Sequence, residues 1–189
     1  MPTVYRYLFP AMWFAWAVYW WISSRAVKAT VQRESPTSRF AYIVPLIAAG
    51  YLLAARSVRV PFLDERFVAR SPWTFGVASA LTAAGLLFAV WARRHLGANW
   101  SGTVTIKQGH ELIVTGPYAF VRHPIYTGLL VAIAGSALAV GEWRGVAAIA
   151  LAALSFAMKL RLEERFMEQQ FGDAYREYRR RVPALVPFI

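Results

Sequence analysis

Five stretches of this chain run for fourteen or more residues without a charge, and they constrain its fold more than any other feature. Tyr7–Ser24 holds eighteen such residues, Phe40–Ala55 sixteen, Ser71–Ala92 twenty-two, Pro124–Gly141 eighteen and Gly145–Met158 fourteen. A helix needs about 17–25 apolar residues to cross a bilayer. Three of the runs qualify alone. The second reaches span length by including Arg56, whose aliphatic stem can snorkel. The fifth is completed by Trp143 and Arg144 on one side and Lys159 on the other, all suited to interfaces. The expectation is an all-α integral membrane protein with about five transmembrane helices, forming one domain over residues 1–189.

Composition agrees. Hydrophobic residues make up 58% of the chain and charged ones 16%, against about 45–50% and 25% in soluble domains. The absence of cysteine excludes disulfides, cysteine-ligated zinc, iron–sulfur clusters and thiol nucleophiles. The first run, with four tryptophans and no small-residue cleavage site, reads as a span and not as a cleaved signal peptide. A net charge of +11 could serve nucleic acid. On so apolar a chain it reads instead as positive flanks of membrane helices. With five spans, residues 25–39, 93–122 and 159–189 share one side and carry fifteen Lys and Arg, against six on the other. The richer side should be cytoplasmic, with the N-terminus outside and the C-terminus inside, in the plasma or inner membrane if the host is bacterial.

Two long polar segments, 93–122 and 159–189, therefore face the same side. The short turn Gly141-Glu142-Trp143-Arg144 forces runs four and five into an antiparallel hairpin. That brings the neighbourhood of His123 close to that of Glu163. Pro124 suits the first turn of the fourth helix, which puts His123 at its N-cap. Free backbone N–H groups and the positive end of the helix dipole favour an anion there, and Arg122 adds a bidentate donor fork. A carboxylate or phosphate could sit at this place. Thr103–Ile106 and Leu112–Val114, on either side of Gln108-Gly109, could form a small hairpin. Lys159 and Glu163 share a helix face at i, i+4. Gly172 can end that helix and Asp173 can start another.

The plainer readings of these residues are a positive-inside arginine, a capping histidine, belt tyrosines at 118 and 126, and a solvated charged helix in the tail. No metal site is expected. The three histidines are fifteen and thirteen residues apart and lack a helical i, i+4 pair. There is no Walker loop, no Gly-x-Gly-x-x-Gly and no Gly-x-Ser-x-Gly.

Four blocks resemble the isoprenylcysteine carboxyl methyltransferase family, within its wider group with phospholipid methyltransferases. They are Asn99-Trp100-Ser101; Gly109-His110 with Leu112, Val114 and Gly116-Pro117-Tyr118; Arg122-His123-Pro124 with Tyr126 and Gly128; and Glu163-Glu164 followed by Phe171-Gly172, Tyr175, Tyr178 and Pro187. The resemblance covers about residues 91–189. It implies an integral membrane enzyme that moves a methyl group from S-adenosylmethionine to a lipid-like carboxylate or amine drawn from the bilayer, at the cytoplasmic face. It also implies a division of the chain. Residues 1–70 would be two N-terminal transmembrane helices and 71–189 a cofactor-binding and catalytic half, with a cytoplasmic loop and C-terminal helices.

Carried over by position, His110, Leu112, Val114, Gly116, Tyr118, His123, Pro124 and Tyr126 would line the cofactor pocket, and Glu164 would support it. Glu163 and Lys159 would face the reacting group, with Arg122 beside them as a third catalytic candidate. Much of the family has arginine where this chain has Lys159, which keeps the charge and loses the bidentate fork. Glu163 could be a base, or could hold Lys159 and the cofactor. Two other readings stand beside this one: an NADPH-dependent membrane reductase of the sterol or steroid type, which has a similar Arg-His-Pro block, and a non-enzymatic membrane protein. The lipid partner's identity and the oligomeric state are not encoded in any motif.

Overall fold

The computed structural model describes residues 4–25, 27–54, 60–107, 109 and 111–187. A helix forms over each of the five apolar runs: α1 (Val4–Ser23), α2 (Pro36–Ala54), α3 (Pro72–Leu96), α4 (Pro124–Val140) and α5 (Trp143–Phe171). α2, α3 and α5 are long and apolar enough to cross a membrane, whereas α4 is a shorter apolar helix. Arg56, expected to extend the second run, lies outside the described residues. The fifth run does not stop at Met158. It continues as one helix of 29 residues, which at 1.5 Å per residue is roughly 44 Å long. That exceeds the roughly 30 Å hydrocarbon layer and carries Lys159, Glu163 and Glu164 on its projecting end. Gly172, at φ 53°, closes it, and α6 (Asp173–Arg181) begins at the next residue.

The helices pack in the order α1, α3, α4, α5, α2, with the broadest contact between α3 and α4. Small residues explain that contact. Among the α3–α4 residues, Ala78, Ala89 and Ala132 are fully buried. A Cβ built on Gly135 would lie 2.5 Å from Thr82 Oγ1, and one on Gly128 would lie 2.8 Å from Ala89 N. Lipid tails solvate apolar side chains as well as a neighbouring helix does, so close backbone approach supplies the packing. The hydroxyls at this seam are satisfied on their own helices, Thr82 on the Ala78 carbonyl at 2.9 Å and Ser136 on that of Ala132 at 2.9 Å. Trp13 on α1 donates to Ser136 Oγ at 3.0 Å. Gly135→Ala should therefore overpack the seam and cost about 1–3 kcal/mol, read as a lowered unfolding midpoint in detergent. An unchanged midpoint would mean that the backbones can part without cost.

At one end of the bundle, the α4–α5 connection is tighter than its sequence suggests. Gly141 takes a left-handed conformation at φ 66°, Glu142 caps α5, and Trp143 is already helical. Two residues turn the chain, not four. The preceding segment clasps this turn: Phe67 N–H donates to the Gly141 carbonyl at 3.1 Å and Arg144 N–H to that of Leu63 at 2.9 Å. Arg66 pairs with Glu142 at 3.1 Å, and Arg144 pairs with Asp64.

The other end gathers the three connections that carry polar chemistry. Here the expected hairpin between 103–106 and 112–114 does not form. β1 (Thr30–Arg33), from the α1–α2 connection, pairs antiparallel with β2 (Thr105–Lys107), while 112–114 has no regular structure. Glu34 fixes this pairing. Its N–H donates to the Val104 carbonyl at 2.9 Å, and its Oε1 accepts from Val104 N–H at 3.1 Å. The ladder thus joins two loops about seventy residues apart in sequence, a contact that no local turn signal announces.

Candidate active site

His123 caps α4 with Pro124 as the first helical residue, and the α4–α5 hairpin brings α5 against it. Two carboxylates from α5 reach the side chains at this helix start. His123 Nε2 lies 3.2 Å from Glu164 Oε1 and its Nδ1 3.5 Å from Glu163 Oε2. Successive residues on one helix thus grip the two ring nitrogens. Tyr126, one turn into α4, donates to Glu163 Oε1 at 2.5 Å. Its ring stacks on His123 with centroids 5.6 Å apart, and on Phe156 at 4.9 Å. Lys159 Nζ is 3.9 Å from Glu163 Oε1 and donates to the Gly102 carbonyl at 3.1 Å.

Arg122 faces the other carboxylate. Its Nε and Nη2 donate to Glu164 Oε1 at 2.9 and 2.6 Å, and its Nη1 donates to the carbonyls of Arg179 and Val182. Both side chains of this pair are 9% exposed. Arg179, on α6, adds a second cation 3.6 Å from Glu164 Oε2. The chain after α6 then runs back over the cap. Arg122 N–H donates to the Pro183 carbonyl at 2.8 Å and His123 N–H to that of Ala184 at 3.0 Å, while Thr127 Oγ1 donates to that of Leu185 at 2.7 Å. The N-cap residue, which could have faced open water, is sealed by the tail.

Burial alone would lower the His123 pKa, since it penalises the charged ring. Hydrogen bonds to Glu163 and Glu164, with their charges, more than offset this and hold it above its ordinary value of 6.5. A group raised on folding contributes stability that is fully present below its unfolded pKa and is lost as pH rises through the folded one. The stability advantage of the wild type over His123→Gln should therefore shrink as pH rises above about 6.5. Unfolding midpoints of both proteins from about pH 6 to pH 9 check this; a constant difference would show that the ring is not held as a cation.

The loop before the cap is set by glycine and proline. Gly116, at φ 59°, opens a single 3-10 turn over Gly116–Ala119. It lies under the imidazole of His95, and a Cβ there would sit 2.7 Å from the ring. Tyr118 is buried, its ring 6.4 Å from that of His95, and its carbonyl accepts from Tyr178 Oη on α6 at 2.6 Å. Leu112 is half-buried and Val114 exposed; being apolar, they take no part in the hydrogen-bonded cluster. His110 lies outside the described residues. Asn99 accepts from Lys28 Nζ at 2.9 Å and so ties this loop to the α1–α2 connection.

Arg122, His123, Tyr126, Lys159, Glu163 and Glu164 thus form one connected group, with Pro124 buried beneath it. Sequence reasoning missed three participants: Arg179, Glu34 and Tyr42. Arg179 sits in a run of three arginines that reads as a favourable helix C-terminus, so its pairing had no distinct signal. Tyr42 Oη donates to Glu34 Oε1 at 2.5 Å, and the Tyr42 ring lies under Lys159. A cavity of about 420 Å³ adjoins this pair, lined in part by Glu34, Arg39, Phe40 and Thr103. It lies on the Tyr42 side of the cluster, not at the Arg122–Glu164 pair.

Protein-S-isoprenylcysteine O-methyltransferase of Schizosaccharomyces pombe is 32% identical over 96 residues, which is 49% of this chain and 41% of that protein. Protein-S-isoprenylcysteine O-methyltransferase B of Arabidopsis thaliana is 36% identical over 86 residues, 44% of this chain and 43% of that one. Methanethiol S-methyltransferase 1 of Bradyrhizobium diazoefficiens is 39% identical over 72 residues, 38% of this chain and 24% of that one. The chain thus covers less than half the length of each of these relatives. The family described as phospholipid methyltransferase matches residues 73–174. That match takes in more than half of the 189 residues, from the first turn of α3 to the start of α6. It includes every member of the connected group, so the chain belongs to the phospholipid methyltransferase family.

Proposed function

We propose that this protein is an integral membrane methyltransferase that uses S-adenosylmethionine and methylates a lipid-like carboxylate or amine at the cytoplasmic face. The observation that carries this reading is that the family-matched stretch is the one in which Tyr126, Glu163 and Lys159 converge. The donor set fits a sulfonium compound. A carboxylate and the face of an aromatic ring both attract a cation; Glu163 and Tyr126 provide both, and a bound sulfonium would share them with the Lys159 ammonium that they already hold. When bound, S-adenosylmethionine supplies an electrophilic methyl group on sulfur.

The residues divide by proposed role. Glu163 and Lys159 would face the reacting group. The balance of Lys159 and His123 around Glu163 keeps its carboxylate in place without leaving a lone buried charge. A carboxylate acceptor needs no proton removed; a protonated amine does, and Glu163 is the base within reach. Leu112, Val114, Gly116, Tyr118, His123, Pro124 and Tyr126 would line the cofactor side, and His110, outside the described residues, is assigned to it by position alone. Arg122, with every nitrogen engaged, acts as a strut that holds Glu164 and the tail, and Glu164 supports the pocket from behind. Alignment of donor and acceptor in a dry site then supplies most of the acceleration.

The half from residue 71 to 189 would carry the cofactor and the chemistry, and residues 1–70 would contribute two helices on the lipid side. The excess of basic residues on the α1–α2, α3–α4 and C-terminal segments supports a cytoplasmic site, with the N-terminus outside. Calorimetric titration of the detergent-purified protein with S-adenosylhomocysteine, and with NADPH in parallel, tests the reading. Micromolar binding of S-adenosylhomocysteine alone is expected. Binding of NADPH alone would move the protein to a reductase, and binding of neither would remove the cofactor assignment.

A further inference from the structure

We propose that Tyr42 is a positioning residue for Lys159, so that α2, outside the family-matched stretch, completes the reaction centre. The inference rests on the methyltransferase reading above and assigns a function to a helix that the reading leaves as lipid-facing bulk.

The Lys159 ammonium lies between two rings, 5.3 Å from the centroid of Tyr42 and 5.6 Å from that of Tyr126. Both are within the roughly 6 Å over which a ring quadrupole attracts a cation. A lysine has a flexible four-carbon stem and no planar fork to set its direction. Its ion pair with Glu163, at 3.9 Å, is long. The two rings and the Gly102 carbonyl therefore decide where the charge points.

Tyr126 is already fixed by Glu163. Tyr42 is fixed independently, from two directions, one of them braced in turn. Its hydroxyl donates to Glu34 Oε1, its carbonyl accepts from Ser155 Oγ at 2.6 Å, and Glu34 is anchored to Val104 on β2's flank. Ser155 lies four residues before Lys159 on α5, so one bond ties the Tyr42 backbone to the same face that carries the lysine. Tyr42 and Glu34 are 5% and 7% exposed. A surface tyrosine that merely met a lysine would not need a buried carboxylate behind it and a serine beneath it.

The test combines two readouts on the full chain in lipid nanodiscs. The first is acylation of Lys159 by a water-soluble amine reagent, quantified by mass spectrometry. Lys28 and Lys107, the other two lysines of the chain, serve as internal references. Tyr42→Leu should raise Lys159 labelling about 5-fold, and Tyr42→Phe, which keeps the ring, should stay within about 2-fold of wild type. The second readout is methyl transfer, with S-farnesylcysteine and aminophospholipid vesicles as acceptors. Tyr42→Leu should lower kcat about 10-fold while changing the S-adenosylhomocysteine Kd by less than about 2-fold. In a Lys159→Met background it should lower kcat no further.

If Tyr42→Leu does not fold, Tyr42→Met takes its place, and should raise labelling by a similar factor, since it too removes the ring. Unchanged Lys159 labelling in a folded variant that lacks the ring would overturn the proposal, as would an equal loss of rate in the Lys159→Met background. A wild type that neither binds S-adenosylhomocysteine nor transfers methyl, with the labelling contrast intact, would overturn the methyltransferase reading and leave the positioning of Lys159 standing.

Discussion

Replacing Arg122 by alanine should destabilise the protein by about 3–5 kcal/mol, the usual cost of stripping one partner from a buried ion pair. The Arg122–Glu164 pair is almost sealed from solvent, with both side chains 9% exposed. Truncation removes two donors from one carboxylate oxygen and two from the carbonyls of Arg179 and Val182. His123 and Arg179 remain beside Glu164 and soften the loss, which places the expected value toward the lower end. Arg122→Lys keeps the charge but cannot reach both the carboxylate and the tail carbonyls, and should cost less than alanine. The double variant Arg122→Ala/Glu164→Ala should recover part of the loss, because no unpaired buried charge is left. Thermal unfolding in detergent measures all three. Proteolysis of the segment after α6 should accelerate in Arg122→Ala, since the same guanidinium pins it. A midpoint within a degree or two of wild type would show that the pair is wet.

Glu163→Gln should lower turnover about 100-fold or more where the acceptor is an amine, the scale of a positioned general base, while S-adenosylhomocysteine affinity falls only a few-fold. The amide keeps the size and one acceptor oxygen for Tyr126, so the fold should survive. What it loses is the charge that faces Lys159 at 3.9 Å and His123 at 3.5 Å. With a carboxylate acceptor no proton is removed, and the loss should fall to about 10-fold, from the misdirected lysine alone. The ratio of the two losses therefore reports the acceptor class. Normal turnover with both acceptors would take Glu163 out of the active site.

Much of this architecture is legible in local sequence. Uncharged runs locate five helices, and Gly172 and Pro124 mark ends at the right residues. The short α4–α5 turn is enough to bring His123 to Glu163, because residues at similar distances from the turn lie side by side on antiparallel helices. What escaped is of one kind. Thr105–Lys107 pairs with Thr30–Arg33 and not with its near neighbour, the tail closes over Arg122 and His123, and Glu34 stands behind Tyr42. At the α4 cap, the side chains of Arg122 and His123 are engaged by Glu164 and Glu163 of this chain, a pairing that the hairpin alone does not specify.

The helices, their caps and the family blocks follow from hydrophobic run length, backbone stereochemistry and spacing along one segment, and so can be read along the chain. Which polar groups meet is settled by packing. A hydrogen bond between residues 42 and 34, or between 122 and 183, leaves no periodic trace along the chain. Its formation depends on which loops the packed helices carry to the same end of the bundle.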